Sequence, residues 1–283
     1  MVLTDVPGFA VGHWTNSDAR TGCTVIVCPP AVVASGEVRG GAPATREFAL
    51  LDPSRSVEAV DAVVLSGGSA FGLAASDGVM GWLEKAGRGF ETAHGRVPIV
   101  VGMSLFDLGV GNAAVRPTPT NGRAAIEIAT SGPIELGSVG AGTGCTVGKW
   151  HGRDKAVVAG LASATLRHGD LVVSALLAVN AVGSIDDGSS TADIGPPVLA
   201  PSDDRANTTI GVIATNAALD KVGCYLVAQS GHDGLARALL PAHTGADGDA
   251  LVAIATGAVE ADKNHVRLLA QQVVAAAIRS LSV

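Results

Sequence analysis

Asn207-Thr208-Thr209 sets a pair of hydroxyls directly behind an asparagine, where a stretch rich in Pro and Asp gives way to an apolar run. A threonine hydroxyl inside a chain is a poor nucleophile. If the Asn207–Thr208 bond is cut, the new α-amine of Thr208 lies beside its own hydroxyl, and one residue supplies both nucleophile and general base. Residues 194–206 include Pro196, Pro197, Pro201, Asp203 and Asp204, the composition of an exposed loop open to cutting. Two plainer readings compete. One is an Asn-x-Thr glycosylation acceptor, which matters only in a secreted chain; the other is a turn that starts a strand, the commoner origin of such a tripeptide.

Other residues bear on the same chemistry. Asp247-Gly248-Asp249 is either a surface turn or a pair of short carboxylates that orient a terminal amine and hold its proton balance. Asn180 interrupts an apolar run, either as a core amide satisfied by backbone or as a donor to a developing oxyanion. Ser66-Gly67-Gly68-Ser69, continuing to Gly72, reads as strand, turn and helix, with backbone N–H groups at a helix N-terminus beside a substrate pocket. Ser69 approximates a nucleophile elbow, but Phe71 stands where that motif needs glycine. Gly148-Lys149 ends a stretch similar to a phosphate loop, yet Thr143 and Trp150 occupy the places of the template's Gly and Ser/Thr. His13, His94 and His243 complete no Ser/His/Asp set and read as satisfied or surface histidines. Cys23, Cys28, Cys145 and Cys224 lack metal-site spacing and read as small buried hydrophobes, so no metal is expected.

Apolar runs alternate with helical segments. Residues 24–28, 62–65, 98–102, 155–164, 170–179, 208–215 and 251–255 read as strands rich in Val, Ile and Ala. Residues 69–86, with Ser69 as N-cap, 218–240 and 261–281 read as helices. In the last of these, Val266, Leu269, Val273 and Ala277 trace a stripe that suits a sheet surface. Strands covered by helices imply a layered α/β architecture. The 283 residues suffice for one large domain or two, and no internal repeat is evident.

Hydrophobic residues make up 47% and charged residues 16%, with 37 glycines, so the interior is built from small aliphatic side chains and close backbones. Low charge also favours burial of some faces in a homo-oligomer. A net charge of −7 without a basic run argues against nucleic acid and anionic membrane as partners. The N-terminal residues carry no signal-peptide pattern, and the apolar run 171–179 is too short to span a bilayer, so a soluble cytoplasmic protein is expected.

Several segments together resemble the DmpA-type aminopeptidases of peptidase family S58, N-terminal-nucleophile hydrolases that include a nylon-oligomer hydrolase branch matured by cleavage between Asn and Thr. The matching stretches are Val11–Asn16, Gly22–Ile26, Gly40–Glu47, Leu65–Leu73, Gly140–Gly144, Val179–Gly183, Asn207–Asn216, and His243-Thr244 with Asp247-Gly248-Asp249. They span nearly the whole chain in the family's order. The resemblance implies a single domain with an αββα sandwich fold, shared with ornithine acetyltransferases, cleaved into fragments 1–207 and 208–283. It makes Thr208 the nucleophile, Asn180 an oxyanion donor, Asp247 and Asp249 the polar pair beside the nucleophile, and Lys149 the lysine of the nylon-oligomer branch. Phe106 replaces a Tyr hydroxyl common near the substrate in relatives. The implied activity is hydrolysis of a small amide, a short peptide or an aminohexanoate oligomer, without a cofactor, in a tetramer of cleaved heterodimers. Two other outcomes are an acyltransferase of the ornithine acetyltransferase type and a non-catalytic scaffold with the same fold.

Overall fold

Residues 62–66 are buried on both faces: Val63 and Leu65 belong to one apolar cluster, Ala62 and Val64 to another. Side chains alternate across a strand, so such a segment lies between two layers. The same alternation recurs across the chain and sets the architecture. The computed structural model describes residues 1–189, 194–198 and 207–281. Its principal strands are β1 (Ala10–Asn16), β2 (Thr21–Val27), β3 (Val33–Val38), β4 (Ala44–Arg46), β5 (Ala62–Ser66), β6 (Val100–Ser104), β7 (Gly160–His168), β8 (Leu171–Asn180), β9 (Thr208–Ala217) and β10 (Ala250–Val259). The helices are α1 (Ala75–Lys85), α2 (Pro119–Glu127), α3 (Lys221–Ala236) and α4 (Lys263–Arg279).

Two five-stranded sheets form, in the orders β1-β2-β5-β6-β4 and β7-β8-β9-β10-β3. Each has a parallel pair inside an otherwise antiparallel sheet: β5 with β6, and β9 with β10. Parallel neighbours need a crossover. The connections from β5 to β6 and from β9 to β10 contain α1 and α3 respectively. Helices α1 and α2 pack on the first sheet, α3 and α4 on the second. The larger apolar cluster draws on both sheets, with Ile26, Val63, Leu65, Val101 and Met103 from one and Leu161, Leu177, Val179, Ile210 and Val212 from the other. The result is an αββα sandwich, and β8 and β9 at its centre are buried along their whole length.

Side chains cap the helices of the second sheet. Asp220 accepts from Gly223 N at 2.6 Å at the start of α3, and Asp262 accepts from His265 N at 2.9 Å at the start of α4. Ser69 caps nothing: it has φ +55° and opens a 3-10 segment, Ser69–Ala74, and the α-helix begins only at Ala75. The run 155–164 divides into a short strand, Val157–Val158, and β7. No helix among the described residues is long and apolar enough to cross a membrane. All four cysteines are buried and free. Residues 199–206, read from sequence as part of the cuttable loop, lie outside the described residues.

Candidate active site

Thr208 opens β9, a central strand of its sheet, and faces Asn180, the last residue of β8, across the antiparallel register. Its side chain is only slightly exposed, at 3%. The hydroxyl donates to the carbonyl oxygen of Asn207, so Oγ1 is turned onto the very bond whose scission would free it. Glycine is required next to it. A Cβ on Gly248 would lie 2.7 Å from Thr208 Oγ1 and 2.5 Å from the Ala42 carbonyl oxygen. Asn207 is buried too; its Nδ2 donates to Ala246 O at 3.3 Å, and its Oδ1 has no partner among the described residues.

The amide of Asn180 is clamped from both ends. Nδ2 donates to Phe106 O at 2.8 Å, while Oδ1 accepts from Thr146 N at 3.1 Å and from Lys149 Nζ at 3.0 Å. Lys149 Nζ also donates to the Asn180 backbone oxygen at 3.2 Å. The lysine reaches inward because its backbone is pinned to the chain after β8, with Gly148 N and Lys149 N donating to Gly183 O and Val182 O. No carboxylate pairs with it directly among the described residues. Burial therefore dominates and pulls the ammonium from 10.5 down to about 7, a shift that nearby Asp247 only partly opposes.

The two aspartates sit on the turn before β10. Asp249 Oδ1 accepts from Thr209 N at 2.7 Å, which ties the carboxylate to the residue after Thr208. Asp247 Oδ1 accepts from Val182 N at 3.0 Å, and its Oδ2 accepts from Thr244 Oγ1 at 2.6 Å. Both side chains are buried. Burial first, then the neighbouring charge of Asp249, push Asp247 up to about 6, against the hydrogen bonds from Thr244 and Val182. The turn is held from below by the chain after β3: Arg39 N and Gly40 N donate to Asp249 O, and Ala42 N donates to Asp247 O. Close approach demands glycine here as well, since a Cβ on Gly40 would meet Asp249 N at 2.2 Å.

The turn after β5 joins the site through residues 105–107. Leu105 N donates to Ser66 O and Ser69 N to Leu105 O, both at 2.8 Å, while Gly68 N donates to Asp107 Oδ1 at 2.7 Å. Gly67 N is spent on Gly22 O at 2.8 Å. The amides of Gly67, Gly68 and Ser69 thus serve protein acceptors, which corrects the expectation that they face a substrate; their effect is to fix the segment that presents the Phe106 carbonyl to Asn180. Phe106 contributes to Asn180 through its main chain, which the missing Tyr hydroxyl does not alter. Asp107, buried and accepting from Thr21 Oγ1 at 2.7 Å, anchors this turn; burial raises its pKa, with the Thr21 and Gly68 hydrogen bonds opposing.

The sequence profile of peptidase family S58 matches residues 2–282. The chain belongs to peptidase family S58. An uncharacterized aminopeptidase of Mycobacterium leprae is 43% identical over 293 residues, covering 92% of this chain and 79% of the relative. A 6-aminohexanoate-oligomer endohydrolase of Kocuria is 31% identical over 278 residues, covering 90% of this chain and 75% of the relative. Among solved structures, the L-aminopeptidase D-Ala-esterase/amidase of Ochrobactrum anthropi, described as a variant of the Ntn-hydrolase fold, superposes with a TM-score of 0.72 at 19% identity, over 98% of this chain and 84% of that one. A beta-aminopeptidase of Burkholderia gives 0.73 at 23% identity, over the same 98% and 84%. These two show the fold. As a member of family S58, the protein is a hydrolase of peptide or amide bonds.

Thr208, Asn180, Lys149, Asp247 and Asp249, scattered over a hundred positions of this S58 chain, are brought together. Ser66–Ser69 stand one hydrogen bond further out. Two residues went unrecognised in the sequence. Asp107 follows an apolar strand with only the glycines of residues 67–68 and 144 to mark its tight surroundings. His243, read as satisfied, is satisfied by Asp249 itself, with Nδ1 2.9 Å from Oδ2.

Proposed function

We propose that the protein is a self-processing amide-bond hydrolase whose nucleophile is Thr208, freed as an N-terminus by scission after Asn207. The observation that carries this reading is the hydroxyl of Thr208, buried at the mouth of a central strand and turned onto the Asn207 carbonyl. In the first cut Thr208 N is still an amide and has no basicity, so the hydroxyl proton needs another acceptor. Lys149 suits the task, because an ammonium brought down to about 7 is largely neutral amine at slightly alkaline pH. Oγ1 adds to the Asn207 carbonyl carbon, the C–N bond breaks, and the nitrogen takes the proton. Water then hydrolyses the resulting ester, leaving a carboxylate on Asn207 and a free amine on Thr208.

In the mature enzyme that amine takes the hydroxyl proton as Oγ1 attacks a substrate amide. Asn180 Nδ2 carries two hydrogens, one of them given to Phe106 O, and the second is the donor for the oxyanion. The amine of Thr208 returns the proton to the leaving group, and water releases the acyl group. Asp249 keeps the first peptide of the strand in place through Thr209 N, and Asp247 supplies a carboxylate whose charge responds near pH 6. The substrates this reading favours are short peptides or linear amides such as aminohexanoate oligomers, in keeping with the names of the relatives. The test is a panel of aminoacyl amides, short β-peptides and aminohexanoate oligomers offered to wild type and Thr208→Ala. Wild type should hydrolyse at least one class, and the variant should stay a single uncut chain with activity down by at least about a thousandfold. Full activity in Thr208→Ala would refute it.

A further inference from the structure

The Thr208 mechanism leaves one partly buried imidazole without a task. The backbone N–H and the ring Nδ1 of His243 both meet Asp249 Oδ2, at 3.2 and 2.9 Å. On the far side of the ring, Nε2 lies 3.2 Å from the carbonyl oxygen of His232. Both nitrogens therefore face acceptors, and only an imidazole protonated on both can satisfy the two contacts. The other oxygen of the same carboxylate accepts from Thr209 N at 2.7 Å. A continuous path thus runs from His243 through Asp249 to the residue bonded to the nucleophile.

We propose that His243 is a positioning residue of the reaction: a doubly protonated imidazole that holds one oxygen of Asp249 so that the other fixes the Thr209 N–H and, with it, Thr208. This rests on the reading of Thr208 as nucleophile. The surroundings favour the cation. Asp249 faces the ring, with Asp247 two residues away; the ring of His232 on α3 meets it edge-on at 4.9 Å between centroids. His232 itself is driven down to about 4 by burial and stays neutral. At the end of β3, Arg39 is engaged by Glu37 and by Asp233 of α3, both at 2.9 Å. For His243, burial opposes the charge, but the hydrogen bond to Asp249 and its negative charge outweigh it and raise the pKa.

His243→Asn tests the role with little disturbance. His243 has φ +56°, a conformation that Asn tolerates well, and the Asn amide nitrogen can reach the position of Nδ1. The variant keeps a hydrogen bond and loses the charge. It should still be cut after Asn207, with KM within about threefold and kcat near neutral pH lowered roughly tenfold. The acid limb of its kcat/KM profile should move up by about one pH unit, because the aspartate pair has lost its cation. A profile that superposes on that of the wild type would overturn the proposal. Nitrogen NMR of the wild-type imidazole gives a second reading that needs no variant. Two protonated ring nitrogens at pH 7 support the role, and a neutral single tautomer overturns it. Loss of the Thr208 reading would show separately, as full activity in Thr208→Ala, and would leave the imidazole spectrum unchanged.

Discussion

Asn180 owes its usefulness to being unable to turn. Its amide oxygen holds Thr146 N and Lys149 Nζ, its nitrogen holds the Phe106 carbonyl, and its backbone is locked in the β8–β9 register opposite Thr208. A donor fixed before the reaction needs no reorganisation during it. Asn180→Ala should therefore lower kcat by about a hundred- to a thousandfold with little change in KM, as steady-state kinetics on the preferred amide would measure. A variant changed mainly in KM would move Asn180 from oxyanion support to substrate binding. Residues of this kind were legible in the sequence because each breaks a local pattern: Asn180 in an apolar run, Thr208 at the start of one, Asp247 and Asp249 around a glycine. Asp107 and His243 were not. Their meaning lies in partners 39 residues away at Gly68 and on the far side of a turn at Asp249, and spacing along the chain carries no trace of either.

At the scale of elements, the site depends on loops that approach each other closer than a methyl group allows. Gly248 does not lie in the left-handed region, so alanine there meets no backbone penalty and its effect is steric alone, through the contacts with Ala42 O and Thr208 Oγ1. Gly248→Ala should slow scission after Asn207 by at least about tenfold, followed on gels over time. Gly245→Ala, where an added Cβ meets nothing within 4 Å, is the matching control and should be cut at the wild-type rate. Equal rates in the two variants would contradict the packing account. The buried strands β5, β8 and β9 were readable from their runs of Val, Leu, Ile and Ala, and the termini of α3 and α4 to within a few residues. Strands β1 and β3 were missed because polar residues and glycines, among them His13, Ser35 and Gly36, break their patterns. The start of α1 was placed early because a serine after two glycines imitates an N-cap, whereas the positive φ of Ser69 diverts the chain first.

The whole molecule carries the cost of burying ionisable groups at its centre. Lys149 titrates at about 7 in the fold against 10.5 as an ordinary lysine, so between those values the unfolded chain holds a proton that the folded one lacks. Stability therefore rises with pH across that window on account of this residue. Asp247 behaves in the opposite sense: raised from 3.8 to about 6, it retains a proton in the fold and its contribution falls as pH climbs between those values. Urea unfolding at pH 7 and pH 9.5, in a Thr208→Ala background so that no chain is cut, should show the stability gap between Lys149 and Lys149→Met shifting towards the lysine protein at the higher pH. A pH-independent gap would contradict the burial of the ammonium. The layered α/β class followed from the alternation of apolar runs and helices, but the pairing into two sheets, each with a parallel centre, depends on long-range register that periodicity does not encode. The central claim is that scission makes the nucleophile. N-terminal sequencing and mass measurement of catalytically active protein test it most directly: the account predicts one fragment ending at Asn207 and another beginning at Thr208, and a fully active, intact 28.1 kDa chain would contradict it.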